Sequence, residues 1–154
     1  MKIRDVMTRD AKLAHPNDTL QHAAKLMREC DCGVLPVAEG DRLIGMITDR
    51  DIAIRGIADG KGPGARVLEA MTQDVKYCFE DEDASHVCKN MSEIQVRRLP
   101  VMDRNKRLIG IVSLSAIWRI RSQTRRRPCT ASHGPARNIT RVTPVPDLRL
   151  TLCS

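Results

Sequence analysis

The two halves of this 154-residue chain repeat each other, and the repeat limits the possible folds more than any other feature. Three pairs of segments show it: Met7-Thr8 and Met71-Thr72, Leu35-Pro36-Val37 and Leu99-Pro100-Val101, Arg42-Leu43-Ile44-Gly45 and Arg107-Leu108-Ile109-Gly110. Members of the first two pairs stand 64 residues apart and those of the third pair 65, so one turn gains a residue. A repeat of this length that occurs only twice predicts a pseudo-symmetric pair of units rather than a solenoid.

Both halves have the same predicted order of elements, β-α-β-β-α. In the first half, Asp18 is expected to cap a helix with apolar residues at the i, i+3, i+4, i+7 spacing, and that pattern recurs in the second half. The inward positions are Leu20, Ala23, Ala24 and Met27, then Ala84, Val87, Cys88 and Met91. Strands are predicted over residues 32–37, 43–47, 96–102 and 108–112. The expected fold is therefore α/β (α+β), with two pseudo-symmetric units packed through their sheets.

Changes in composition mark the expected domain borders. A linker rich in Gly and Pro, residues 61–64, separates a first unit, residues 1–60, from a second unit, residues 65–121. Residues 122–154 are rich in Arg and lack a helical or strand period, so we predict a disordered tail there. The net charge of +7 comes from this end of the chain, because residues 1–118 carry 18 basic and 18 acidic side chains. Because residues 1–118 have no net charge, their composition does not indicate a basic surface for nucleic acid, and no specific nucleic-acid partner is predicted.

The composition also indicates where the protein works. No run of the sequence approaches the ~18 apolar residues that span a bilayer, and no apolar segment typical of a signal peptide follows Met1. We therefore expect a cytoplasmic protein without a membrane partner.

Cysteine and histidine give no strong sign of a reactive centre. In a reducing compartment the six cysteines, Cys30, Cys32, Cys78, Cys88, Cys129 and Cys153, are expected to be mostly small apolar residues. Cys30 and Cys32 supply at most two ligands of a zinc site, so no metal is predicted, although a site that uses one of them stays an alternative. The four histidines have no Ser, Cys or paired carboxylate at catalytic spacing, and we predict that the protein is not an enzyme.

The repeated motifs resemble a known family. Two halves that each carry a Met-Thr opening, a Leu-Pro-Val strand and a Leu-Ile-Gly turn followed by Thr48 or Ser113 are similar to a tandem pair of CBS domains, the Bateman module. The resemblance covers residues 1 to about 120. It is strongest for the small stand-alone bacterial CBS-pair proteins, including the mycobacterial hypoxic-response type, through residues 48–52 and 95–101.

This resemblance implies a regulatory module that binds an adenosyl ligand, of the AMP, ADP or ATP class, in the cleft between its units. The family pattern of Gly, two apolar residues, Thr or Ser, two further residues and Asp is complete in this chain, and the Asp would hold the ribose. The implied site residues are Gly45, Thr48, Asp51, Met71, Thr72, Val96, Arg97 and Arg98. The adenine would lie against Met71, Thr72, Val96 and Arg97, and Arg97 or Arg98 would reach the phosphates.

The second half departs from the same pattern. Ser113 matches Thr48, but Ala116 stands where the first half has Asp51, and Gly33 stands where the second half has Arg97. A second, degraded site would contain Met7, Cys32, Gly33 and Ser113. Because it lacks the ribose acceptor and the nearby cation, we expect it to be empty or much weaker, and we expect one nucleotide per chain.

Elementary chemistry leaves two interpretations of the Asp51 motif open. A carboxylate in the first turn of a helix can accept hydrogen bonds from both ribose hydroxyls, where the helix N-terminus also favours an anion. The same Thr-x-x-Asp spacing is a helix cap, and the two roles are compatible. The alternative function is therefore a structural or protein-interaction CBS pair without a nucleotide site.

The resemblance also implies a homodimer. The sequence leaves open whether AMP, ADP, ATP, NADH or S-adenosylmethionine is preferred, and which protein acts downstream.

Overall fold

The computed structural model describes residues 1–124, except for the side chains of Arg121, Gln123 and Thr124. The predicted disordered tail lies outside the described residues apart from residues 122–124, which form the end of the last helix.

The elements follow the predicted order, except that no strand precedes the first helix of the first unit within residues 1–19. The first unit contains α1 (Leu20–Glu29), β1 (Val34–Glu39), β2 (Arg42–Thr48) and α2 (Asp49–Asp51), which a π-helix (Ile52–Ala58) continues. The second contains β3 (Cys78–Phe79), α3 (Ala84–Glu93), β4 (Arg98–Met102), β5 (Leu108–Ser113) and α4 (Leu114–Thr124). Short 3₁₀ turns, Ile3–Asp5 and Val67–Glu69, precede the two sets. The mixed α/β class is confirmed.

The two sheets have matching registers, with one difference at their first strand. β1 pairs antiparallel with β2, and β4 pairs antiparallel with β5. In the second unit β3 runs parallel to β4, with Cys78 opposite Val101. In the first unit the corresponding contact is one parallel bridge between Ala14 and Val37, so the predicted first strand is reduced to a single pair.

The opening segments cross over between the units. Ile3 and Val6 are buried in the core of the second unit, and Thr8 exchanges both backbone hydrogen bonds with Ile111. In the same way Val67 and Met71 are buried in the core of the first unit, where Thr72 pairs with Met46. Each core is therefore completed by the segment that precedes the other unit, which fastens the two units together.

A third apolar cluster joins the two sheets. Leu43 and Met46 of β2 pack with Met102 and Leu108 of the second sheet, around the buried ring of Tyr77. The backbone also crosses here, because the amide of Leu108 donates to the carbonyl of Asp41 at 2.7 Å. Packing of the units through their sheets, as predicted, brings β2 and the start of β4 onto one cleft.

Left-handed turns before β1 and β4 make both strands start later than the sequence predicts. Asp31 has a φ of 48° and Gln95 a φ of 56°, so the chain cannot extend until Val34 and Arg98. The turn at Asp31 also brings its two neighbours together, and the structure joins Cys30 and Cys32 in a disulfide. The expectation that these cysteines stay reduced is thus wrong for this pair, because the turn sets their Cα atoms 5.3 Å apart, within disulfide range.

The first helix cap also differs from the prediction. Thr19, not Asp18, is the N-cap of α1, because its extended backbone lets its hydroxyl accept from the amide of His22 at 3.1 Å. The Asp18 carboxylate instead accepts from the amide of His15 in the preceding turn. Asp83 caps α3 by accepting from the amides of Ser85 and His86.

Across residues 1–124, the longest apolar helical stretch falls short of what a membrane crossing requires.

Candidate functional site

A cavity of about 560 Å³ opens between the two units, in the size range of small-ligand sites. Its wall comes from three stretches of chain: the β1 and β2–α2 region of the first unit, the segment after the Met71-Thr72 pair, and the start of β4. The lining residues are Gly33, Val34, Met46, Thr48, Asp49, Asp51, Thr72, Asp74, Val75, Lys76, Val96, Arg97, Arg98, Leu99 and Pro100.

The structure gathers most of the residues expected at the first site. Thr48, Asp51, Thr72, Val96, Arg97 and Arg98 all line the cavity. Gly45 and Met71 instead stand behind the wall, packed against each other. A Cβ on Gly45 would lie 2.7 Å from Met71 Sδ and 2.9 Å from the Thr72 carbonyl oxygen, so only glycine fits beneath the crossing segment.

The residues expected at the second site lie in different places. Gly33 lines the same cavity as Asp51, where its carbonyl accepts from the amide of Asp49. Met7, Cys32 and Ser113 are not among the described residues that line this cavity. Ser113 caps α4 by accepting from the amide of Ala116 at 3.1 Å, so the second unit keeps the cap without the carboxylate.

Thr48 and Asp51 form a complete capping box. Thr48 Oγ1 accepts from the amide of Asp51 at 3.0 Å, while the amide and hydroxyl of Thr48 both donate to Asp51 Oδ2, at 3.0 and 2.8 Å. The cap interpretation of this motif is therefore confirmed. Asp51 Oδ1 takes no part in the box, and the side chain, 16% exposed, lies in the cavity wall. One carboxylate oxygen thus holds the helix while the other can serve a ligand.

Arg55 is a neighbour of this carboxylate that the motif does not contain. It lies one helical turn after Asp51, on the π-helix, with its Nε 3.9 Å from Asp51 Oδ1. Its Nη1 donates to the Met71 carbonyl at 3.4 Å and to Thr72 Oγ1 at 3.3 Å. The i, i+4 spacing from Asp51 was the sequence signal for the ion pair, but nothing local signals a contact with residues 71 and 72.

Charge in the cavity wall is divided between the signs. Lys76, Arg97 and Arg98 supply cations, and Asp49, Asp51 and Asp74 supply carboxylates. The N-terminus of the helix that starts at Asp49 adds a positive partial charge beside Thr48. The wall can thus hold a ligand that carries both a hydrogen-bond donor pair and an anionic group.

Several wall residues were missed by sequence reasoning. Asp74, Val75 and Lys76 reach the cavity because the segment after Thr72 runs along it before β3. Asp49 and Val34 reach it because β1 and β2 pair with Val34 opposite Thr48. The predicted strands 32–37 and 43–47 are neighbours along the chain, which favours such a pairing, whereas the path of residues 74–76 depends on the crossing of the opening segments.

Displaced pKa values occur outside this cavity, around β3 and the turn before α3. Burial raises the pKa of the Cys78 thiol far above its usual range, and burial also raises the pKa of Glu82. The hydrogen bond from Arg104 lowers the pKa of Asp81, whose Oδ2 accepts from Arg104 Nη2 at 2.7 Å. These groups belong to the packing of the second unit.

Residues 1–124 contain no cluster of side chains that could bind a metal ion. Within that range no three His, Cys, Asp or Glu side chains lie close enough together to hold an ion. Cys30 and Cys32, the pair considered for such a site, are bonded to each other.

Comparison with known proteins assigns the repeat to a family. The model of the CBS domain matches twice, over residues 3–55 and 67–117. Hypoxic response protein 1 of Mycobacterium tuberculosis is 41% identical over 119 residues, which cover 75% of this chain and 82% of that protein. The CBS domain-containing protein YhcV of Bacillus subtilis is 38% identical over 112 residues, 73% of this chain and 79% of that protein.

Solved structures show the same fold. The crystal structure of Hypoxic Response Protein I with two coordinated zinc ions superposes with a TM-score of 0.70 at 39% identity, and covers 77% of this chain and 98% of that one. The CBS domain pair of protein MJ0100, in complex with 5′-methylthioadenosine and S-adenosyl-L-methionine, gives a TM-score of 0.70 at 30% identity, over 81% of this chain and 98% of that one. CBSX2 in complex with AMP gives 0.72 at 25% identity, over 81% and 98%.

Proposed function

The chain belongs to the CBS-domain family as a tandem pair, and from this premise we propose that it is a regulatory module that binds one adenosyl ligand in the Asp51 cavity. The observation that carries the proposal is the position of Asp51. Its Oδ2 is held by the capping box, its Oδ1 takes no part in that box, and the residue belongs to the wall of a cavity between the units. Catalysis is not part of the proposed role.

The wall residues suit the parts of an adenosyl ligand. Asp51 Oδ1 would accept from the ribose hydroxyls, and each hydrogen bond to a charged acceptor contributes roughly 1.5–3 kcal/mol. Val34 and Val96 supply apolar surface for a base, and Arg97 and Arg98 supply cations for phosphates. These assignments extend the predicted site by Val34, while Gly45 and Met71 would shape the wall from behind.

The ligands of similar proteins support the same class. AMP is bound in the CBSX2 structure, and 5′-methylthioadenosine and S-adenosylmethionine are bound in the CBS pair of MJ0100. All three ligands contain a 5′-substituted adenosyl group, whose ribose hydroxyls Asp51 would recognise. We propose AMP, ADP or ATP as the first class to test, with NADH and S-adenosylmethionine beside them.

Regulation follows if binding changes how the two units, or two copies of the chain, pack together. A ligand shifts such an equilibrium only by its different affinity for the two states. We expect a cytoplasmic homodimer, and the exposed side chains of Ile54, Ile57 and Trp118 on the π-helix and α4 support contact with a second copy. Identical packing with and without nucleotide would contradict the regulatory role.

The proposal is tested by titration calorimetry of the full chain with AMP, ADP, ATP, NADH and S-adenosylmethionine. Asp51→Ala should lower the affinity of the best ligand by about a hundredfold or more, because it removes the acceptor for two hydroxyls. Ser113→Ala is the control, since it weakens the corresponding helix start of the second unit, at a cost in stability of about 1 kcal/mol, outside the cavity. Absence of binding by every ligand to the wild-type protein would leave the Asp51 motif as a cap, and favour a structural or protein-interaction pair.

A further inference from the structure

We propose that Arg55 is a positioning residue for the nucleotide site, which fixes Asp51 Oδ1 toward the ligand without touching the ligand itself. The inference rests on the proposed function, because it concerns how the same carboxylate recognises a ribose. It adds to the site a residue that the Gly45-Thr48-Asp51 motif does not contain.

The two oxygens of the Asp51 carboxylate have different neighbours. Oδ2 accepts two hydrogen bonds from Thr48, so rotation of the carboxylate about its own axis would break both of them. Oδ1 has the Arg55 guanidinium 3.9 Å away, too far for a hydrogen bond but close enough for attraction between charges. The ion pair therefore orients Oδ1 and leaves its lone pairs available to hydroxyl donors.

Arg55 is itself anchored by hydrogen bonds. Its Nη1 donates to the Met71 carbonyl and to Thr72 Oγ1, on the segment that crosses from the linker into the first unit. That segment is fixed by the paired backbone of Met46 and Thr72. Arg55 thus connects two parts of the cavity wall, the start of α2 and the segment at Thr72.

Arg55 stands outside the described cavity wall, which favours a positioning role over direct contact with the ligand. Asp51 and Thr72 belong to the cavity wall, whereas Arg55 is not one of the described residues that form it. A cation that bound phosphate would need to face the cavity, as Arg97 and Arg98 do. Arg55 therefore acts through Asp51, and its effect should depend on the ribose hydroxyls and not on the phosphates.

The second unit offers an internal comparison. The residue that corresponds to Asp51 is Ala116, and the residue that corresponds to Arg55 is Ile120. The carboxylate and its cation are thus present together in one unit and replaced together in the other. This joint replacement is what a positioning pair predicts, because the cation has no role without the carboxylate.

The experiment measures the affinity of the full chain for AMP, adenosine and 2′,3′-dideoxyadenosine monophosphate. Arg55→Gln should weaken AMP and adenosine by the same factor, about three- to tenfold, and leave the dideoxy compound unchanged. In an Asp51→Ala background the same substitution should have no further effect, and Arg55→Lys should recover part of the loss. Arg50→Gln, which removes an exposed cation from the same helix start, is the matched control and should leave all three affinities unchanged.

Each other outcome overturns the inference. A loss for AMP without a loss for adenosine would make Arg55 a phosphate ligand. A gain in affinity would show that Arg55 competes with the ribose for Asp51, and a loss that extends to the dideoxy compound would show a structural role. If wild-type protein binds AMP but Arg55→Gln binds it equally well, only this inference fails; if wild-type protein binds no nucleotide, the proposed function fails and the inference fails with it.

Discussion

The two helix starts that follow β2 and β5 have the same fold but different chemistry. Thr48 and Ser113 occupy equivalent positions, and each accepts a hydrogen bond from the amide three residues later. Only the first start continues with a carboxylate, Asp51, and only that carboxylate has an arginine one turn further on. Both units therefore need the hydroxyl cap in order to fold, and the first unit adds a carboxylate that lies in the cavity wall and an arginine behind it.

Substitution of the glycines beneath the crossing segments should have the largest effect on stability. Gly45→Ala places a Cβ 2.9 Å from the Thr72 carbonyl oxygen, and Gly110→Ala brings one against the Thr8 carbonyl oxygen. Both should lower the free energy of unfolding by about 1–3 kcal/mol, measured by urea denaturation. Only Gly45→Ala should also weaken nucleotide binding, because Thr72 belongs to the cavity wall. If both variants weakened nucleotide binding equally, the proposed difference between the two units would be contradicted.

Restoring the missing carboxylate should have a smaller effect. Ala116→Asp completes a capping box with Ser113, and should raise the free energy of unfolding by about 0.5–1 kcal/mol. The stoichiometry of nucleotide binding should stay at one, because Ile120 and Gly33 replace the cations that accompany the first site. Calorimetry gives the stoichiometry and thermal denaturation the stability. A second site of similar affinity would show that the carboxylate alone decides binding.

The smallest expected effect is a pH dependence confined to the second unit. Burial raises the pKa of Glu82, so the folded protein holds this proton more tightly than the unfolded chain. Stability from this group is therefore present at low pH and is lost as pH rises from the ordinary value of about 4.3 through the raised pKa. Glu82→Gln keeps an acceptor for the Phe79 amide but does not titrate, so the variant should gain stability relative to wild type over that window. Urea denaturation at several pH values between about 4 and 7 measures the difference, and parallel curves would contradict it.

Much of the fold was predictable because the sequence pattern of each element occurs in both halves of the chain. The strands β2 and β5 and the helices α1 and α3 appear where the pattern of apolar residues places them. The late start of β1 and β4 was not predictable, since Asp31 and Gln95 adopt left-handed backbone angles that neither residue type requires. The choice of Thr19 over Asp18 as a cap depends on one residue of register, which helix periodicity does not resolve.

The site was predictable to the extent that its residues are local. The Thr48–Asp51 cap follows from spacing alone, and the cavity contains most residues of the implied site. Lys76 could not be found in this way, because its position depends on the crossing of the opening segments. The spacing of Asp51 and Arg55 indicates their ion pair, but it does not indicate the contact of Arg55 with Thr72. Gly45 belongs to the implied binding motif, but in the structure it leaves space for the backbone of the segment that crosses at Thr72.

The most direct test of the central claim is a crystal structure of the full chain grown with AMP. We expect one nucleotide per chain in the cavity between the units, with its ribose hydroxyls on Asp51 Oδ1 and its phosphate toward Arg97 or Arg98. Nucleotide bound at Ser113 instead, or at both helix starts with equal occupancy, would contradict the account. So would a cavity without nucleotide at concentrations that saturate binding in solution.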